Sequence, residues 1–193
     1  MLTSPLPKKA SAVAEGGPSP KRAASPGATL EVEVVRHDEA WAAARVSDAR
    51  LERAARAAFS TAAPLRQGSY HVALALTGDA EMRVLNRTWR GKDASTNVLS
   101  FPADDEISEP GFLGDIVLAY ETVLTEAREQ SIPIEDHAAH LVVHGVLHLL
   151  GFDHADDAQA EEMETLERTA LASLGIADPY AESEEARATE ASR

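Results

Sequence analysis

YHVALALTGDAEMRVLNRTW, residues 70–89, places two periodicities back to back. Tyr70 to Leu76 is apolar, aromatic and β-branched enough to read as a strand. Thr77-Gly78-Asp79 ends it and is expected to cap the helix that follows, about 79–89. In that helix Met82, Leu85 and Trp89 share one face, while Arg83, Arg87 and Arg90 share another. A strand feeding an amphipathic helix is the building unit of α/β folds.

The same alternation continues in both directions. Upstream, LEVEVV (Leu30 to Val35) alternates apolar and acidic residues as a half-buried strand does. Residues 48–60 have helical spacing, with Asp48 as the expected N-cap. Downstream, NVLSF (97–101) is a short strand closed by Pro102, and FLGDIVLA (112–119) is another. Helices are expected over about 120–130, 133–150 and 156–174. The expected fold is α/β (α+β), a small mixed sheet of about four strands with about five helices.

Residues 1–28 are Ala, Pro, Ser, Gly and Lys, too poor in large apolar groups to offset the entropy of ordering, and are expected to form a disordered tail. Residues 181–193 are expected to be a flexible C-terminal tail. That leaves 29–180 as a single domain. No long apolar run offers a membrane span, and no continuous apolar stretch follows Lys8 and Lys9 as in a secretory leader, so a cytoplasmic protein is expected. The chain has no cysteine, which excludes disulfides and thiolate metal sites. Any transition metal must be held by imidazole and carboxylate.

A net charge of -14 argues against broad electrostatic attraction to nucleic acid. The acid is concentrated at 104–109 and from Asp153 onward. Arg83, Arg87, Arg90 and Lys92 reverse the sign locally, and an RNA partner would be met there.

The chemistry lies in HLVVHGVLHLLGFDH, residues 140–154. His144 and His148 stand four apart, so a helix puts both rings on one face, with Cβ atoms about 5–6 Å apart. Gly151 suits the left-handed position that ends a helix, and His154 follows it as a third ligand. Leu141, Val142, Val143, Val146, Leu147, Leu149 and Leu150 make this helix apolar almost all round. Two unpartnered imidazoles there would cost about 1–3 kcal/mol each, a penalty that shared metal ligation removes. Three imidazoles leave a coordination position open, the mark of a catalytic site. They suit one Zn2+ ion, or another divalent transition metal such as nickel or copper. His137 and His140 lie on the same stripe, as groups that orient the ligands or as capping and packing groups.

The spacing H-x-x-x-H-x-x-G-x-x-H also occurs in metzincin peptidases, which place a general-base Glu after the first His. Gly145 stands there in this chain and cannot move a proton. Met163 reads as a helical core residue rather than part of a Met-turn.

Three segments in order, LNRTWRGKDASTNVLSFP (85–102), LGDIVL (113–118) and HGVLHLLGFDH (144–154), resemble the YbeY family of bacterial endoribonucleases and rRNA maturation factors. Two departures are conservative: Phe152 replaces the usual Tyr, and Ser95 stands where Pro is usual. The resemblance covers about residues 30–180. It implies a zinc-bearing enzyme that cleaves single-stranded RNA, matures the 3′ end of small-subunit (16S) rRNA and serves ribosome quality control. Its partners would be ribosomal RNA and the small ribosomal subunit, with no membrane and no DNA. The ligands carry over to His144, His148 and His154, and the functional arginine to Arg90, whose guanidinium suits the charge of a phosphoryl transition state. Without the resemblance, Arg90 reads as a solvated cation at a helix C-terminus. Arg83, Arg87, Lys92, Asn97 and Ser100 are candidate substrate-binding residues, although Asn97 and Ser100 equally suit the fixing of strand ends. Asp115, inside an apolar strand, is expected beside an Arg or a ligand His. Asp153 is expected to orient the turn that carries His154. The alternative function is a ribosome-associated assembly factor with a structural metal and little catalysis.

Overall fold

The computed structural model describes residues 27–62, 67–103 and 110–181. The expected tails (all but 27, 28 and 181) and the acidic stretch 104–109 lie outside these residues. The elements in chain order are β1 (Ala28–Arg36), α1 (Ala40–Ala43), α2 (Asp48–Ala62), β2 (Gly68–Thr77), α3 (Asp79–Arg90), β3 (Val98–Pro102), β4 (Phe112–Ala119), α4 (Tyr120–Glu129), α5 (Ile134–Leu149) and α6 (Asp157–Ser173). The four strands form one mixed sheet in the order β1-β2-β4-β3. β1 and β4 both run parallel to β2, and β3 is antiparallel to β4.

Alternation along the strands divides the interior in two, because successive side chains point to opposite faces of a sheet. Leu74, Leu76, Ile116 and Leu118 face one side, where α2, α5 and α6 supply Leu51, Phe59, Val142, Val146, Leu149, Met163 and Leu171. Val117 and Ala119 face the other, against Met82, Leu85 and Trp89 of α3. The apolar stripe read in residues 79–89 is therefore a packing surface, and Trp89 meets Phe101 edge-on at 6.0 Å. The all-round apolarity of α5 has its cause in this arrangement. It packs against the sheet and against α2, α4 and α6, and ten of its residues, Val143 and Leu147 among them, are buried.

Close approach of α5 to the sheet depends on small residues. A Cβ on Gly145 would lie 3.0 Å from an Ile116 methyl and 3.1 Å from the Ser100 hydroxyl. Gly114, at φ +140°, would bring a Cβ to 2.2 Å from the carbonyl oxygen of Phe101. Here β4 runs closely against β3 and α5, in a backbone conformation that disfavours other residues.

One short element joins the expected ones, and two local expectations are corrected. The short helix α1 adds a sixth helix and seats Trp41 in the core, its indole N–H donating to the Thr77 carbonyl at 2.9 Å. Asp48 is the first residue of α2 rather than its cap, and its carboxylate pairs with Arg36. Asp79 does not cap its own helix either. Its Oδ1 accepts the backbone N–H of Thr122 at 3.1 Å, while Glu121 accepts the N–H of Asp79 at 2.8 Å. The N-termini of α3 and α4 thus satisfy each other's orphan donors across space.

Candidate metal centre

The last turn of α5 ends in a Schellman arrangement. The N–H of Phe152 donates to the Leu147 carbonyl at 3.1 Å and that of Gly151 to the His148 carbonyl at 3.0 Å. Gly151 takes the left-handed conformation, φ 87°, as its position in the sequence predicts. The returning chain then offers the Phe152 carbonyl to Nδ1 of His148 at 3.0 Å. Two residues on, His154 stacks on His144 with ring centroids 5.6 Å apart and lies 5.1 Å from the ring of His148. Its N–H donates to Asp153 at 2.9 Å, so Asp153 orients this turn.

One nitrogen from each of His144, His148 and His154 lies within 4.8 Å of the other two. Nε2 of His144 and Nε2 of His148 are 3.0 Å apart. Their hydrogen positions follow from the partners on the far side of each ring. The Phe152 carbonyl only accepts, so Nδ1 of His148 carries the proton. Nδ1 of His144 points at a carboxylate oxygen of Glu167, 2.7 Å away, and carries its proton for the same reason. Two neutral rings so arranged aim lone pairs at each other. That contact is repulsive unless a cation lies between, and a proton or a metal ion answers it. Four-coordinate zinc, at about 2.0–2.1 Å from each nitrogen, separates neighbouring ligand atoms by about 3.3 Å. The donor set fits such an ion in chemistry and in spacing. Burial, followed by the charges of His144 and His154, lowers the pKa of His148 to about 4, so this ring is neutral and ready to ligate at pH 7.

Glu167, from α6, is the residue that the sequence reading missed. It is 1% exposed and accepts from Nδ1–H of His144, from Nε2–H of His140 at 3.1 Å and from the hydroxyl of Tyr180. Burial alone would raise its pKa, but the hydrogen bonds from His140, His144 and Tyr180 outweigh it and hold the group below the ordinary carboxylate range. A signal was present in the sequence: Met163, Glu167, Ala170 and Leu171 occupy one helical stripe, and a carboxylate among core positions needs partners. His140 therefore acts beside the site through Glu167. His137 is directed elsewhere, to Glu126 at 2.7 Å.

The other candidates are distributed as follows. Arg90 is the exposed last residue of α3, and Gly91 caps that helix at φ 71°. Neither the Arg90 nor the Lys92 side chain has a hydrogen bond or ion pair among the described residues. Arg83, by contrast, holds Asp93 through two hydrogen bonds of 2.8 and 2.9 Å, and Arg87 approaches the same carboxylate at 3.8 Å. The basic stretch is thus partly neutralised by the residue just after it. Asn97 donates to Glu126 and accepts from the N–H of Val98, and the Ser100 hydroxyl donates to the Gly145 carbonyl at 3.4 Å. Both engage their polar atoms within the fold. Asp115 is not beside a ligand His. It shares a register position with Phe101 and Ala73 on the α3 face, its side chain has no hydrogen bond or ion pair among the described residues, and its pKa is raised by burial.

Fold and site together define a class: an α/β domain in which one helix end and the turn after it converge three imidazoles on a point. The family model described as Endoribonuclease YbeY matches residues 37–175. The Endoribonuclease YbeY of Azorhizobium caulinodans is 49% identical over 154 residues, covering 79% of this chain and 97% of its own length. That of Chelativorans sp. is 50% identical over 163 residues, with 82% and 97% covered. That of Paramagnetospirillum magneticum is 49% identical over 161 residues, with 80% and 98% covered. This chain belongs to the YbeY family.

Proposed function

We propose that this chain is a metal-dependent endoribonuclease that cuts single-stranded RNA, matures the 3′ end of small-subunit (16S) rRNA and takes part in ribosome quality control in the cytoplasm. The observation that carries the reading is the pair of facing Nε2 atoms of His144 and His148, with His154 beside them, in a member of this family. His144, His148 and His154 would hold one ion, zinc in the first instance. When bound, the ion supplies Lewis acidity toward a phosphodiester oxygen or an attacking oxygen nucleophile. The chain's own groups do the rest. Nδ1–H of His144 and of His148 remain on their acceptors and fix both rings. Arg90, free of any partner among the described residues, binds the phosphate in a two-pronged fork and stabilises its developing charge. Lys92, with Arg83 and Arg87 in weaker roles, attracts the RNA backbone, and Asn97 and Ser100 shape the strand β3. Peptidase chemistry is disfavoured because Gly145 stands where a general base is needed, and a Cβ there would already crowd Ile116 at 3.0 Å and Ser100 at 3.1 Å.

A second reading, an assembly factor whose metal is structural, is favoured by the net charge of -14 and by the attachment of Arg83 to Asp93. One comparison separates the two. Wild type, His148→Ala and Arg90→Ala are assayed for bound metal, fold and cleavage of an rRNA precursor extended at its 3′ end. The nuclease reading expects Arg90→Ala to stay folded and metal-loaded while losing about 10²–10³-fold in cleavage rate. If wild type and Arg90→Ala are both metal-loaded and neither cuts, while His148→Ala unfolds, the assembly-factor reading replaces it. A 2′-deoxy substitution at the cut position that abolishes cleavage would assign the nucleophile to the RNA's own hydroxyl.

A further inference from the structure

Glu167 is the most deeply buried carboxylate among the described residues, and three donors from two parts of the chain converge on it. His140 and His144 approach from α5, and Tyr180 approaches from the segment that follows α6. An ionised carboxylate at such depth is costly unless each bond is made. That segment is tied down independently of the hydroxyl. Gly175 turns the chain at φ 71°, and Leu174 and Ile176 pack on the main core. Arg168 pairs with Asp178 and lies over the Tyr180 ring at 5.1 Å, and the His140 ring meets that ring edge-on at 6.0 Å. Tyr180 lies beyond the residues that the family model matches, 37–175.

We propose that Glu167 is the positioning residue of the histidine site, with Tyr180 as the pin that holds its carboxylate. The inference rests on the reading of His144, His148 and His154 as metal ligands. Its physical content is a choice of tautomer. Imidazole carries its proton on either nitrogen, and only the Nδ1–H form of His144 presents Nε2 as a lone pair toward His148 and His154. A carboxylate that accepts from Nδ1 selects that form, fixes the ring plane and strengthens the nitrogen as a ligand. His140 and Tyr180 both donate to its other oxygen, Oε2, so the carboxylate is held against rotation. The end of the domain thereby sets the geometry of a site on α5.

A merely structural link between α5 and α6 makes a different prediction, namely lost stability with the ring chemistry unchanged. The test uses the full chain, with imidazole tautomers read by ¹⁵N NMR in the metal-free protein and zinc affinity read by competition with a chromophoric chelator. Wild type should show His144 in the Nδ1–H form. Glu167→Gln, close in shape, should show a mixture of tautomers and bind zinc about 10–100-fold more weakly. Tyr180→Phe should fold normally and shift both readouts in the same direction by less. A folded Glu167→Gln with the wild-type tautomer and wild-type zinc affinity overturns the proposal. If Glu167→Gln does not fold, Tyr180→Phe decides, and unchanged tautomer and affinity there overturn it equally. A wild type in the Nδ1–H form that binds no zinc would sink the metal reading while leaving the positioning role in place.

Discussion

His148 and Glu167 make the site a determinant of stability as well as of chemistry. The folded protein holds the pKa of His148 near 4, below its ordinary 6.5, through burial and then the neighbouring imidazoles. Between these values the unfolded chain takes up a proton that the folded chain refuses. The contribution is therefore complete above pH 6.5 and is lost as pH falls toward 4. Glu167 acts in the same direction at lower pH, because its folded pKa lies below the ordinary 4.5 and its contribution disappears on further acidification. Urea midpoints of the chelator-treated protein should fall steadily from pH 7 to pH 4. A midpoint that is flat or rises over this interval contradicts the assignment. At this scale the three histidines were legible because helical spacing and one glycine put their rings together within a short segment. For Glu167 only its burial was signalled, by its place in an apolar stripe; its partners lie on α5 and beyond α6, at separations that no periodicity encodes.

The elements were legible from alternation and helical spacing, and the mixed four-stranded sheet follows from them. What escaped the sequence were the interactions between element ends. Asp79 and Glu121 cap each other's helices rather than their own, so a reading confined to each helix assigns Asp79 to the wrong N-terminus. Trp41, with a single turn of helix around it, leaves too short a pattern to read. Glycine positions carry the element-scale predictions. Gly114→Ala forces a Cβ against the Phe101 carbonyl where β3, β4 and α5 meet. It should destabilise the fold by about 1–3 kcal/mol, measured by denaturant unfolding. Gly151→Ala strains the left-handed turn at φ 87°, costing about 1 kcal/mol and weakening zinc binding, since His154 and the Phe152 carbonyl both depend on that turn. Wild-type zinc affinity in a folded Gly151→Ala would show that the turn does not position the ligands.

At the scale of the whole molecule, the net charge of -14 coexists with membership of an RNA-cleaving family because charge is distributed rather than averaged. Among the described residues the side chains of Arg90 and Lys92 pair with no carboxylate, whereas Arg83 and Arg87 lean on Asp93. The pairing with Asp93 was not read from the sequence because the helix C-terminus folds the chain back through Gly91. On the proposed reading metal and fold are coupled globally as well: zinc at a hundredfold above its dissociation constant would add about 2.7 kcal/mol to the folded state. For a domain of this size that raises Tm by about 5–10 °C in a thermal melt. His154→Ala should lose most of this increment.

The most direct test of the central claim is reconstitution of cleavage. The wild-type protein is stripped with chelator, assayed on an rRNA precursor extended at its 3′ end, and reassayed after stoichiometric zinc is returned, with His148→Ala carried through the same steps. The account predicts cleavage that disappears on stripping, returns with zinc in the wild type, and does not return in His148→Ala. Cleavage that survives stripping, or that His148→Ala performs at the wild-type rate, would contradict it.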